Sequence, residues 1–137
     1  MIWKKKINLE NINNSMKNTM AQFLEINIEA VGDNFIRASM PVNKKTIQPF
    51  GILHGGASVV LAETVGSLAS NLCLDDKYYS VGLDINANHI KSVKEDFVEA
   101  ITNPIHIGRS THVWEIKITQ KNKLTCLARL TTAVLRK

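Results

Sequence analysis

Gln48-Pro49-Phe50-Gly51-Ile52-Leu53-His54-Gly55-Gly56-Ala57-Ser58-Val59-Val60-Leu61-Ala62-Glu63-Thr64 runs a turn punctuated by proline and glycine straight into an apolar helical segment. Two glycines follow a histidine where the helix should begin, so bare backbone N–H groups there are open to a ligand. They lie at the positive end of the helix dipole, where a developing oxyanion is stabilised. Glu63 is the exception: every other residue from Ala57 to Ser70 is apolar or small and uncharged. An acid in such surroundings costs stability unless it is solvated, paired or used. Glycines alone would mean only a helix start, and a lone glutamate only a surface residue. Together they point to chemistry.

Composition narrows the classes. A length of 137 residues allows one hydrophobic core, so a single domain over 1–137 is expected. Apolar residues make up 45% and charged residues 21%, the balance of an ordinary globular protein. No apolar run approaches the roughly 18 residues of a membrane helix. Met1-Ile2-Trp3-Lys4-Lys5-Lys6 is basic but leads into Asn-rich sequence rather than an apolar signal core. A cytoplasmic protein with no membrane partner is the expectation. The net charge of +5 suits an anionic partner, yet the cations are scattered, aromatics reach only 6%, and no nucleic-acid-binding motif is present. A small polyphosphate ligand fits the charge equally well. Cys73 and Cys126 lie in apolar segments and read as buried thiols, and Trp3 reads as a packing residue. The four histidines lack metal-ligand spacing, and there is no G-x-S-x-G nucleophile elbow, so neither a metal site nor a serine nucleophile is expected.

Along the chain, Asn8 to about Gln22 carries Leu9, Ile12, Met16 and Met20 at helical spacing, predicting an amphipathic helix. Phe23 to Val31 alternates as a strand; Gly32-Asp33-Asn34 is a turn, and Phe35 to Val42 returns to close a hairpin. His54 to about Leu74 is the long helix. Its apolar stripe is read as Ala57, Val60, Leu61, Thr64, Leu68 and Leu72, with Glu63 and Ser67 sharing another face. Gly66 and Ala69 leave room for a close neighbour. Four strands follow: Tyr79 to His89, Phe97 to Ile107, Thr111 to Gln120 and Leu124 to Leu135, with Asn122-Lys123 in a tight turn. The fold class is α+β, an antiparallel sheet wrapped around the long helix.

Helix geometry adds a constraint. Gly55 and Glu63 are eight residues apart, roughly 12 Å along a helix axis. One small reacting group cannot touch both on the same helix. Two antiparallel copies related by a twofold axis can bring Gly55 of one beside Glu63 of the other, so a homodimer with a shared site is expected. The gap at Gly66 and Ala69 fits such an approach.

The Q-P-F-G-x-L-H-G-G-A-S-x-x-L-A-E-T string resembles the hotdog-fold acyl-CoA thioesterases. Further likeness lies in Met40-Pro41-Val42, Val81-Gly82-Leu83-Asp84-Ile85-Asn86-Ala87-Asn88-His89, Val113-Trp114-Glu115-Ile116 and Arg129-Leu130-Thr131-Thr132-Ala133, so it spans nearly the whole chain. Within the family the resemblance is to the branch of menaquinone biosynthesis and enterobactin proofreading. It implies hydrolysis of an aromatic acyl-CoA, 1,4-dihydroxy-2-naphthoyl-CoA foremost. Alternatives are a proofreading or housekeeping thioesterase on carrier-protein thioesters, and a non-catalytic acyl-CoA-binding hotdog protein, which has no need of Glu63. The resemblance makes Glu63 the nucleophile or general base and the Gly55 N–H the carbonyl polariser. Gln48 and His54 assist positioning, Ser67 holds water or the acyl group, and Gly82 lines the acyl pocket. The stretches His89-Ile90-Lys91-Ser92 and His106-Ile107-Gly108-Arg109-Ser110-Thr111 receive CoA, with Lys91 and Arg109 as available cations. Coenzyme A enters as part of the substrate, no separate cofactor is implied, and the assembly implied is a homotetramer built from two dimers.

Overall fold

The computed structural model describes residues 1–137. Two short helices, α1 (Leu9–Ser15) and α2 (Met20–Phe23), precede the hairpin β1 (Asn27–Val31) and β2 (Ile36–Pro41). The long helix α3 (Gly55–Leu72) is followed by β3 (Tyr78–His89), β4 (Phe97–Ile107), β5 (Thr111–Gln120) and β6 (Lys123–Arg136). All six strands form one antiparallel sheet in the order β1-β2-β4-β5-β6-β3. No helix is long and apolar enough to cross a membrane.

The expected N-terminal helix is broken in two. Asn, Ser and Thr side chains here compete for backbone groups and end the first segment early. Asn8 caps α1 through the Asn11 N–H, Ser15 Oγ donates to the Ile12 carbonyl, and Thr19 Oγ1 donates to the Met16 carbonyl. Asn18 then turns left-handed at φ 61°. The next segment also starts differently: Phe23 closes α2 and Glu25 turns at φ 60°, so β1 begins only at Asn27. The alternating Leu24, Ile26 and Ile28 are nonetheless all buried. At the last hairpin Gln120 pairs with Lys123, and the two turn residues are Lys121 and Asn122, both at positive φ, one position earlier than expected.

Helix α3 packs across one face of the sheet, against β2, β4, β5, β6 and β3. Its buried side is Ala57, Ser58, Leu61, Ala62, Val65, Gly66, Ala69, Ser70 and Leu72, whereas Val60, Thr64 and Leu68 are half-buried. The predicted stripe is therefore rotated toward small residues. A Cβ on Gly66 would stand 2.6 Å from Leu130 Cδ2 on β6, so the helix backbone rests almost on the sheet. Gly66 and Ala69 serve this helix–sheet contact inside one chain, which overturns their reading as room for a second helix. Trp3 is buried with its ring stacked on Trp114, centroids 6.4 Å apart, and its indole N–H donates to the Gly32 carbonyl. Cys73 and Cys126 are free and buried; desolvation pushes the Cys73 thiol up to about 11 and raises that of Cys126 as well.

A buried polar cluster ties α3 to the sheet centre. Ser70 Oγ lies 2.8 Å from His112 Nδ1 and 2.8 Å from Thr132 Oγ1, on β5 and β6 respectively. Burial is the main force lowering the His112 pKa; the charges of His106 and Lys4 push the same way, and the Gly108 carbonyl opposes them. A depressed folded-state value means the unfolded chain binds the proton more readily. The contribution of neutral His112 is thus full above the ordinary histidine value of 6.5 and is lost as pH falls through the lowered one. Urea unfolding across this range should show wild-type stability declining on acidification, with a shallower decline for His112→Gln. Equal slopes in the two proteins would mean that His112 titrates alike folded and unfolded.

Candidate active site

The site is built around the two ends of the motif. Residues 47–53 form a tight loop closed by an Ile47–Leu53 bridge, with the Gly51 N–H on the Gln48 carbonyl and Gly51 at φ 76°, a conformation favouring glycine. Gln48 turns its side-chain oxygen onto the Phe50 N–H. His54 then caps α3 by its ring: Nδ1 accepts from the Gly56 N–H at 2.8 Å. The Gly55 N–H ahead of it donates to no group in the chain. It is an unclaimed donor at the positive end of an 18-residue helix.

Against Gly55 lies His89, the last residue of β3. A side chain on Gly55 would meet His89 Nε2 at 2.8 Å. Gln48, Gly55, His89, Ile90, Lys91 and Ser92 all line one cleft of about 300 Å³, together with Ser58 and Thr125. Lys91 is exposed, and its backbone N–H bonds the Thr125 carbonyl.

Two turns further along α3, Glu63 leans onto the opposite part of β3. Its Oε1 fills the space a Cβ on Gly82 would occupy. Glu63 enters no ion pair and no side-chain hydrogen bond, so its carboxylate is half-buried and unclaimed. Ser67, one turn beyond, is also half-buried.

The second expected CoA-binding stretch lies elsewhere. His106 is exposed beside Gly108, and the Gly108 N–H bonds the Thr111 carbonyl across the β4–β5 turn. The Ser110 carbonyl accepts from the Val134 N–H. Ile107, Gly108 and Arg109 line a cleft of about 530 Å³ with Lys4, Tyr78 and His112, at the C-terminal end of α3. A single chain thus brings residues 89–92 to Gly55 and leaves 106–111 at the other end of the helix. The residues sequence reasoning passed over are Ser70 and Asn71, which bond the sheet, and Lys4, which lines the second cleft.

A long helix packed on one six-stranded antiparallel sheet is the hotdog architecture. The thioesterase superfamily is the family whose description matches, over residues 50–127, and the chain belongs to it. It is a thioesterase with the hotdog fold. Among its relatives is 1,4-dihydroxy-2-naphthoyl-CoA hydrolase of Escherichia coli K12, 50% identical over 98% of this chain and 100% of that protein. The proofreading thioesterase EntH of Cronobacter sakazakii is 43% identical over 98% of this chain and 99% of its own length. Among solved structures, a thioesterase from Haemophilus influenzae superposes with a TM-score of 0.97 at 51% identity, covering 99% of this chain and 96% of that one.

The contact of Glu63 with Gly82 yields a direct test. In Gly82→Ala the new methyl group would take the place of Glu63 Oε1, and the flexible Glu63 side chain would swing aside while the fold stays intact. Thioester hydrolysis should fall by about 10²-fold, the scale of an ångström-sized misplacement, with little change in melting temperature. A Gly82→Ala enzyme of normal activity would show that hydrolysis does not depend on Glu63 resting against Gly82.

Proposed function

We propose that this thioesterase hydrolyses an aromatic acyl-CoA to the free acid and CoA, with 1,4-dihydroxy-2-naphthoyl-CoA as its foremost substrate. The observation that carries the reading is the unclaimed Glu63 carboxylate held on Gly82 of a strand that also ends at the CoA-binding stretch. The activity of the half-identical E. coli relative supports the acyl group. A second reading, release of wrong acyl groups from a carrier protein, is favoured by the EntH relative. Both place the work in the cytoplasm, where CoA and carrier-protein thioesters are made and used. A panel of aryl-CoA, fatty acyl-CoA and aryl-carrier-protein thioesters separates them by kcat/KM.

In the reaction, Glu63 either attacks the thioester carbonyl carbon or takes a proton from the water that attacks it. The carbonyl oxygen becomes an oxyanion, held by the Gly55 N–H at the helix dipole. Collapse expels the CoA sulfur, which takes up a proton. In the nucleophilic route the resulting anhydride at Glu63 is then opened by water. Gln48 and His54 orient the carbonyl end, and Ser67 holds water or the acyl group. His89, Lys91, Ser92 and the 106–111 stretch bind the CoA moiety.

Two chains make each site in this reading. On one chain Gly55 and Glu63 are too far apart for one carbonyl. In an antiparallel helix pair set in this register, the Gly55 end of one chain, with its cleft, faces the Glu63 half of the other. The unpaired edge of β3 supports this pairing, as does the exposure of Phe50 (90%) and Leu83 (65%), which a lone chain leaves in water. Two such dimers form the tetramer.

Glu63→Gln is nearly isosteric and should leave the melting temperature unchanged while turnover drops by roughly 10²–10⁴-fold. A folded Glu63→Gln enzyme with wild-type turnover would remove Glu63 from the mechanism. Sharing of the site is tested by mixing a Glu63→Gln subunit with a folded Gly55→Val subunit. Exchange should restore about one working site per heterodimer, because one interface then joins an intact Gly55 to an intact Glu63. Heterodimers proven to have exchanged yet still inactive would place both groups of a site on one chain.

A further inference from the structure

We propose that Asn71 is a positioning residue for Glu63, acting through the edge strand β3; the inference rests on the thioesterase reading of Glu63. Asn71 lies two turns beyond Glu63 on α3, on the same side as Ser67. Its Oδ1 accepts from the Ser80 N–H at 2.9 Å, and its Nδ2 donates to the Ser80 carbonyl at 3.0 Å and to the Ser67 carbonyl at 2.9 Å. The carboxamide thereby pairs with both peptide groups of Ser80 as a neighbouring strand would. No other hydrogen bond joins α3 to β3.

Strand β3 needs that anchor. Within its own subunit it pairs only with β6, and its register shifts between Gly82 and Asp84, so that ladder is weakest beside the Glu63 contact. Most of its side chains are exposed. Ser80 precedes Gly82 by two residues, about 7 Å along the strand, so fixing one peptide fixes the other. The Ser67 carbonyl bond locks the amide plane to the helix that carries Glu63. Helix, amide and strand form a short closed frame, and the carboxylate sits on its last member. Released from Asn71, β3 can lift from the helix, and Gly82 no longer limits where the carboxylate rests. Asn71 touches no substrate in this scheme; its effect passes entirely through the seat of Glu63.

That route predicts non-additivity, which a general loss of stability does not. Wild type, Asn71→Leu, Glu63→Gln and the double variant are assayed on benzoyl-CoA, with kcat taken per folded chain at the assay temperature. Asn71→Leu should lower kcat about tenfold or more and leave KM within about twofold. In the Glu63→Gln background the same substitution should lower kcat no further. Two deficits that multiply would overturn the proposal, as would an undiminished kcat in Asn71→Leu. If Asn71→Leu does not fold, Asn71→Asp replaces it in the same cycle, since its carboxylate still accepts from the Ser80 N–H. The Asn71→Asp deficit should shrink as pH falls and the carboxyl gains a proton to donate to the Ser80 carbonyl; a deficit that grows on acidification counts against the frame. Wild-type enzyme inert to benzoyl-CoA, or an unimpaired Glu63→Gln enzyme, would instead refute the functional reading itself, leaving Asn71 nothing to position.

Discussion

The contact between Gly66 and Leu130 governs the rest of the molecule, because it fixes the rotation of α3 about its own axis. With Gly66 pressed on β6, residues at helical offsets are assigned to fixed directions. At 3.6 residues per turn, Glu63, Ser67 and Asn71 fall roughly 60° to 140° round from Gly66, all on the flank that faces β3. Ser70, nearer the inward direction, reaches β5 and β6 through His112 and Thr132. A larger residue at 66 would lift the helix and turn this polar flank away from the strand. Small size there is what lets an acid be half-buried without a partner.

That acid is affordable only because the opposing strand presents no side chain at the point of contact. Gly82 opens a notch, and Glu63 occupies it. The adjoining register shift belongs to the same local solution, since a bulge changes the twist of an edge strand and re-aims the residues around it. At the other end of the same strand His89 closes on Gly55, again a contact that a Cβ would obstruct. Two glycines and the side chains of Glu63 and His89 thus interlock along one helix–strand pair.

Much of this was legible in the sequence. The helix start, the odd acid within it and the four following strands follow from glycine placement and periodicity, and the observed ends lie within about two residues. The N-terminal segment misled because its Asn, Ser and Thr side chains bind backbone locally, which apolar spacing does not register. The inward face of α3 was misjudged because Ser58, Ser70 and Gly66 are not apolar, yet small size wins where a helix lies this close to a sheet. Asn71 was invisible for another reason. Its partners are backbone groups of Ser80, and main-chain acceptors leave no mark on sequence.

The two stretches proposed to bind CoA do not meet within one chain. Residues 89–92 and 107–109 line separate clefts at opposite ends of α3, and no rearrangement of side chains joins ends of a rigid 18-residue helix. In the proposed dimer an antiparallel twofold partner would bring an unclaimed N–H to an unclaimed carboxylate and cover the bare edge of β3. Two separate deficits of the lone chain would be met by that one symmetry operation, so in the proposed dimer site assembly and subunit association become one equilibrium. Activity per chain would then follow the dissociation of the dimer on dilution even while every subunit stays folded.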